Sequence, residues 1–166
     1  MFWHFDRSTG ALSPEQIIPS VPPGFTGTDF TSEIRVSSDG DFVYGANRLN
    51  DTISVFEIGH DGSLTQRSHV STLGDYPRIF SIDPSGRFLA VGNQFADNVT
   101  TFRINQGHDR EDDDRKDDDR KDNDHDDDHD DDDRKKGEAG RDRRGSLSFT
   151  GNYTPVGSPS GMVYLI

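Results

Sequence analysis

The sequence predicts an all-β protein built from repeated four-stranded antiparallel units, and three observations predict it. An internal repeat matches residues 32–58 with 78–104 at a constant offset of 46 residues without a gap. Each copy reads as short alternating runs rich in β-formers, separated by Ser/Asp/Pro/Gly turns at hairpin spacing. A Gly-x-Leu-Ser/Thr opening recurs at 10–13, 62–65 and 145–148 and marks one further strand per unit. Four antiparallel strands per 46 residues is the pattern of a β-propeller blade.

The elements follow in order. "FWHFD" (2–6) and "ALSPEQIIPS" (11–20) read as the last two strands of a preceding blade, so that 1–30 is a partial blade and its connection. Residues 31–77 form a blade: "IRVS", a Ser-Ser-Asp-Gly turn, a β-rich run ending at Asn47, a turn around Asp51, an alternating run ending at Phe56 and Ile58, and the outer strand "GSLTQRSHVS". Residues 78–107 begin the next blade, with Phe88, Asn93, Asp97, Phe102 and Ile104 at the places of Phe42, Asn47, Asp51, Phe56 and Ile58. Its outer strand is "GSLSFTGNYTPVGS", so 145–166 completes the last blade and supplies a closing strand. Phe42, Phe56, Phe88 and Phe102 are expected to be buried between sheets.

Between these pieces lies a highly charged run, 108–144, ending just before Gly145. Five residues (59–63) separate Ile58 from Leu64, whereas 42 (105–146) separate Ile104 from Leu147, so the run reads as an insertion in one hairpin turn. Loop-closure entropy makes the longer connection cost only about 2 kcal/mol more. Residues 108–145 carry 19 Asp plus Glu against 11 Lys plus Arg, which is −8 of the chain's net −13. A disordered polyampholyte is the expectation. Divalent-cation capture by its aspartates with His125 and His129 is the sharper alternative, but nothing in the pattern fixes a coordination geometry.

The remaining −5 argues against phosphate-backbone binding, hence no nucleic-acid partner. No apolar run is long enough to span a membrane, and "MFWHFDRSTG" lacks the apolar core of a secretory signal, so a cytoplasmic chain is expected. Cysteine is absent, which removes disulfides, thiolate nucleophiles and Cys-based metal sites; no cofactor is expected. The Asn-x-Thr sequons at Asn50, Asn98 and Asn152 are too few to separate from turn composition, and His4, His60 and His69 sit in no motif.

"SEIRVSSDGDFVYGANRLNDTISVF", followed by "YPRIFSIDPSGRFLAVGNQFADNVTTFRI" and a terminal "GSPSGMVYLI", resembles the last blades of the seven-bladed β-propeller lactonases, the family of bacterial-type 6-phosphogluconolactonase and fungal carboxy-muconate cyclase. The resemblance covers 1–107 and 145–166. Without the 37 extra inserted residues the chain holds about 2.8 repeats of 46, whereas closed propellers need at least four, so a partial ring is expected.

What the resemblance implies about function centres on charged residues at the ends of inner strands. Glu33 begins the first inner strand, Arg48 follows the second strand, Arg78 opens the next inner strand, and Gln94 takes the place of Arg48 in that blade. Lactone chemistry needs guanidinium donors to orient an anionic group and stabilise the charge developing on the carbonyl oxygen, with a carboxylate or imidazole to move the proton. The resemblance carries the catalytic-type arginine onto Arg48 of "ANR" and places Glu33 and Arg78 on the channel; Gln94 and Asn93 are the substrate-binding candidates. The competing expectations are a simple Glu33–Arg78 ion pair, and Asn47 and Asn93 as turn residues. The implied function is hydrolysis of 6-phosphogluconolactone or muconate cyclisation on a small-molecule lactone. Partner catalytic groups are expected on other blades, so this chain alone is expected to be inactive and to self-associate through open blade edges. A non-catalytic binding propeller is the alternative.

Overall fold

The computed structural model describes residues 1–107 and 143–165, and every described element is a strand. In chain order they are β1 (Phe2–Phe5), β2 (Leu12–Gln16), β3 (Thr31–Val36), β4 (Phe42–Asn47), β5 (Thr52–Ile58), β6 (Leu64–Ser71), β7 (Pro77–Ile82), β8 (Phe88–Asn93), β9 (Asn98–Ile104) and β10 (Leu147–Pro155). They form one two-stranded sheet, β1-β2, and two four-stranded antiparallel sheets, β3-β4-β5-β6 and β7-β8-β9-β10. The expected propeller blades are therefore present, two whole and one partial.

Alternation along each strand decides what packs where. Register pairs Tyr44 with Val55 and Ala46 with Ile53 on one face of the first full blade. That face meets Phe80, Leu89, Val91 and Phe102 of the next blade, and all eight side chains are buried in one cluster. Each buried side chain of this size contributes about 1.5–3 kcal/mol, so the interface between blades is the principal core. The opposite face, with Val43 and Phe56, covers a cavity that Met1, Ile18 and Leu64 help to line.

Phe42, Phe56 and Phe102 are buried, but Phe88 is only half-buried. The expectation for Phe88 is corrected, and the reason lies in the faces. Phe88 belongs to the side of its blade turned away from the first full blade, where the guanidinium groups of Arg87 and Arg103 stand 5.8 and 5.3 Å from its ring centroid instead of apolar neighbours.

The hairpin that accepts the charged run closes in register. Leu147 pairs with Ile104, and the N–H of Asn105 donates to the carbonyl of Ser146 at 2.9 Å. Residues 108–142, the bulk of the expected disordered insertion and the site of the His125/His129 alternative, lie outside the described residues. Its last two residues, Arg143 and Arg144, belong to a defined turn before β10. Arg144 Nη2 meets Asp41 at 2.6 Å and Asp39 at 3.1 Å, and its guanidinium lies over Phe42. The buried Tyr44 hydroxyl donates to the carbonyl of Gly145 at 2.9 Å, and burial pushes this phenol well above the usual tyrosine range. Beyond Pro155 the described chain forms no strand, in place of the expected closing strand. The N–H groups of Val156 and Ser158 donate to the backbone and the side chain of Asp97, which turns the segment across the end of its own blade.

Candidate functional site

The turns β4–β5 and β8–β9 and the connections leading into β3 and β7 all lie at one end of the blades, and the candidate residues lie there too. The turns are built by repeat-equivalent aspartates. Asp51 and Asp97 adopt φ of 51° and 50°, a left-handed conformation that Asp tolerates better than most residues. Asn47 and Asn93 close β4 and β8, yet neither makes the turn conformation and both side chains are fully buried. Asn47 Nδ2 donates to the Ser20 carbonyl and to Ser54 Oγ, both at 2.8 Å. Asn93 Nδ2 donates to Asn98 Oδ1 at 2.9 Å and to Thr100 Oγ1 at 3.2 Å, and Thr100 Oγ1 donates to the Thr72 carbonyl at 2.8 Å. Asn47 thus latches its blade directly to the connection arriving from the blade before, and Asn93 does so through Thr100. Gly74 permits this: a Cβ there would stand 2.3 Å from the Asn93 side chain.

Glu33 and Arg78 come to adjacent inner strands, because Ser32 Oγ donates to the Pro77 carbonyl at 2.7 Å. They do not pair with one another. Glu33 binds Arg35 Nε of its own strand at 3.3 Å, and the Arg78 side chain makes no ion pair or hydrogen bond among the described residues. Arg48 and Gln94 are joined through a residue that the sequence reading passed over, Tyr76. Its carbonyl accepts the Gln94 N–H at 3.0 Å, and its hydroxyl oxygen lies 3.4 Å from Arg48 Nη1. Gln94 Nε2 reaches Ser158 Oγ at 3.3 Å. Arg48 Nε is buried and has no hydrogen-bond partner among the described residues. The signal that could have found Tyr76 is its offset of 46 from Phe30, since both carbonyls receive the N–H of the residue after a conserved-position Asn in the repeat.

Acidic groups surround this end, and their acceptors are directed to backbone. Asp29 Oδ1 accepts the N–H groups of Leu49 and Asn50, and Asp51 Oδ1 accepts that of Tyr76. Burial, with the charges of Asp75 and Asp29, raises the Asp51 carboxyl above its ordinary value although the Tyr76 N–H works the other way. Among the described residues no group of His, Cys, Asp and Glu is placed to hold a metal ion. The arrangement can therefore present a fixed guanidinium, whose Nη2 has no hydrogen-bond partner among the described residues, to an anionic oxygen.

Four-stranded antiparallel blades of this construction are those of a β-propeller, and the chain belongs to the propeller lactonases: the model of the lactonase, seven-bladed β-propeller family matches residues 1–115. Among its relatives, the 6-phosphogluconolactonase of Bacillus subtilis is 37% identical over 99 residues, 59% of this chain and 28% of that protein. The 6-phosphogluconolactonase of Formosa agariphila is 45% identical over 76 residues, 44% of this chain and 22% of that protein. A solved structure of a Lactobacillus plantarum protein is 38% identical with a TM-score of 0.60, covering 61% of this chain and 30% of that one. The periplasmic gluconolactonase of Pseudomonas aeruginosa, 24% identical, shares the fold with a TM-score of 0.67 over 94% of this chain and 34% of its own. The chain thus spans under a third of the length of the curated relatives it matches.

Proposed function

We propose that these blades carry the arginine side of a lactone-opening site, acting on a sugar lactone of the 6-phosphogluconolactone type when they stand in a full ring. The observation that carries the reading is Arg48: a part-buried guanidinium, held through Nη1 but with no ion pair among the described residues to neutralise it. Such a group orients a phosphate or carboxylate and stabilises the oxyanion formed as water adds to the lactone carbonyl. The names of the relatives support 6-phosphogluconolactone over a muconate as first substrate to test. Glu33, paired with Arg35, is the candidate for proton transfer, and Arg78 is a second anion donor. Gln94, linked to Arg48 through Tyr76, offers an amide at the same end of the blades, and Asn93 acts from behind, through the bonds that set the turn carrying Gln94.

Catalysis requires donor and proton-transfer groups around one substrate, so the chain by itself is expected to give no turnover. The test is to exchange the matching blades of the Bacillus subtilis relative for those of this chain and follow hydrolysis of 6-phosphogluconolactone. A folded chimera should retain turnover, and Arg48→Ala should lower it by roughly a hundredfold or more, the usual effect of losing one oxyanion donor. Undiminished turnover in Arg48→Ala would remove Arg48 from the site, and turnover by the chain alone would show that no other blade is needed.

A further inference from the structure

Tyr76 carries more constraint than a connecting residue needs. Its φ is 60°, a conformation that a bulky side chain keeps only where its surroundings impose it. Both neighbouring turns impose it, through the 2.9 Å bond from its N–H to Asp51 and the 3.0 Å bond from Gln94 to its carbonyl. Phe95 stacks on its ring with centroids 4.2 Å apart and planes at 21°. The Arg48 guanidinium stands 5.5 Å from the same ring centroid. In the preceding repeat Phe30 makes the equivalent backbone bond, to Arg48 N–H at 2.9 Å, with no positive φ and no hydroxyl, so neither feature is required by the blade itself.

We propose that Tyr76, backed by Phe95, is a positioning residue for Arg48: its ring and phenol oxygen fix the guanidinium through Nη1 and leave Nη2, without a hydrogen-bond partner among the described residues, for an anionic oxygen of the ligand. An aromatic partner suits this task better than a carboxylate. A carboxylate would occupy the guanidinium fork and cancel its charge, whereas a π face and one neutral oxygen hold the cation and leave its field available. No aspartate takes that role among the described residues: Arg48 makes no ion pair, and Asp29 and Asp51 accept backbone N–H groups. The inference rests on Arg48 being the ligand-facing group of the proposed site.

The test reads the Arg48 Nε–H directly, by NMR of the full ¹⁵N-labelled chain, with Arg48→Lys assigning the resonance. In the wild type the proton is expected upfield of a free arginine, from the ring current of Tyr76. Tyr76→Phe should keep that shift and Tyr76→Leu should abolish it, while the amides of Asn93 and Thr100 stay in place. An unmoved Nε–H in Tyr76→Leu overturns the positioning role. If that variant unfolds, Phe95→Ala decides: loss of at least about half the shift supports the stack, and an unchanged shift overturns it. Titration with 6-phosphogluconate should move the same resonance, which reports an anion arriving at the neighbouring Nη2. Tyr76→Leu should weaken this binding about tenfold and Tyr76→Phe by less than about threefold, and equal weakening in both overturns the role of the ring. A wild-type chain whose Nε–H ignores 6-phosphogluconate contradicts the lactone reading of Arg48, while the ring-current comparison still decides the place of Tyr76.

Discussion

At the scale of single residues, the two repeats differ where chemistry is expected and agree where the chain must turn. Arg48 gives way to Gln94 and Phe30 to Tyr76, while Asp51 and Asp97 keep nearly the same left-handed backbone. Asp51 supports a pH prediction. Its folded pKa is raised above the ordinary 3.8, so the folded state holds this proton more tightly than the unfolded one. The stability it contributes is complete below the unfolded pKa and is lost as pH rises through the folded pKa. Asp51→Asn keeps an acceptor for the Tyr76 N–H and tolerates the turn, so it should match or exceed the wild type in stability at pH 7, with the difference vanishing near pH 3. Denaturant melts at the two pH values check it, and a variant less stable at pH 7 contradicts the sign. Asp83 runs the other way. Burial works to raise it, but hydrogen bonds from Ser85 and from the Phe88 N–H hold it below the usual range, so its contribution is present above the unfolded pKa and lost as pH falls through the folded one.

At the scale of elements, the junction at 143–147 separates what can be removed from what cannot. Gly145 has φ of 72°, and a Cβ there would stand 2.4 Å from the Phe42 ring. Gly145→Ala should therefore cost about 1–3 kcal/mol, from backbone strain and overpacking together. Tyr44→Phe, which removes only the bond to the Gly145 carbonyl, should cost about 0.5–1.5 kcal/mol. Joining 107 to 143 by a short turn should leave the melting temperature within a few degrees of the parent. A deletion that also takes 143–145 should lower it, because it removes Arg144 from Asp39, Asp41 and Phe42. Equal melting temperatures for the two deletions would show that this junction adds nothing. The sequence placed the splice correctly between Ile104 and Leu147, but composition alone could not separate Arg144 from the charged run, since a guanidinium on a blade and one in solvent look identical in a string of residues.

At the scale of the whole molecule, stability is concentrated between sheets. Phe102→Ala, at a residue only 1% exposed, should cost about 3–5 kcal/mol, and the half-buried Phe88→Ala distinctly less. Urea unfolding measures both, and equal losses would contradict the facial assignment. Ile34 and Val36 on an inner edge are 64% and 56% exposed, so concentration-dependent association is expected in sedimentation, and a strict monomer at high concentration would refute it. The repeat, the strand order within each blade, the place of the insertion and the family resemblance were legible in the sequence by itself, because period, turn residues and alternation are local properties that survive as pattern. Only the tertiary structure decided that Asn47 and Asn93 belong to buried latches, that Glu33 turns to Arg35, that Phe88 stands against arginines, and that Tyr76 lies against Arg48. Each of those depends on which neighbour stands across a turn or a sheet interface, and a spacing of 46 fixes equivalence between blades without fixing what lies between them.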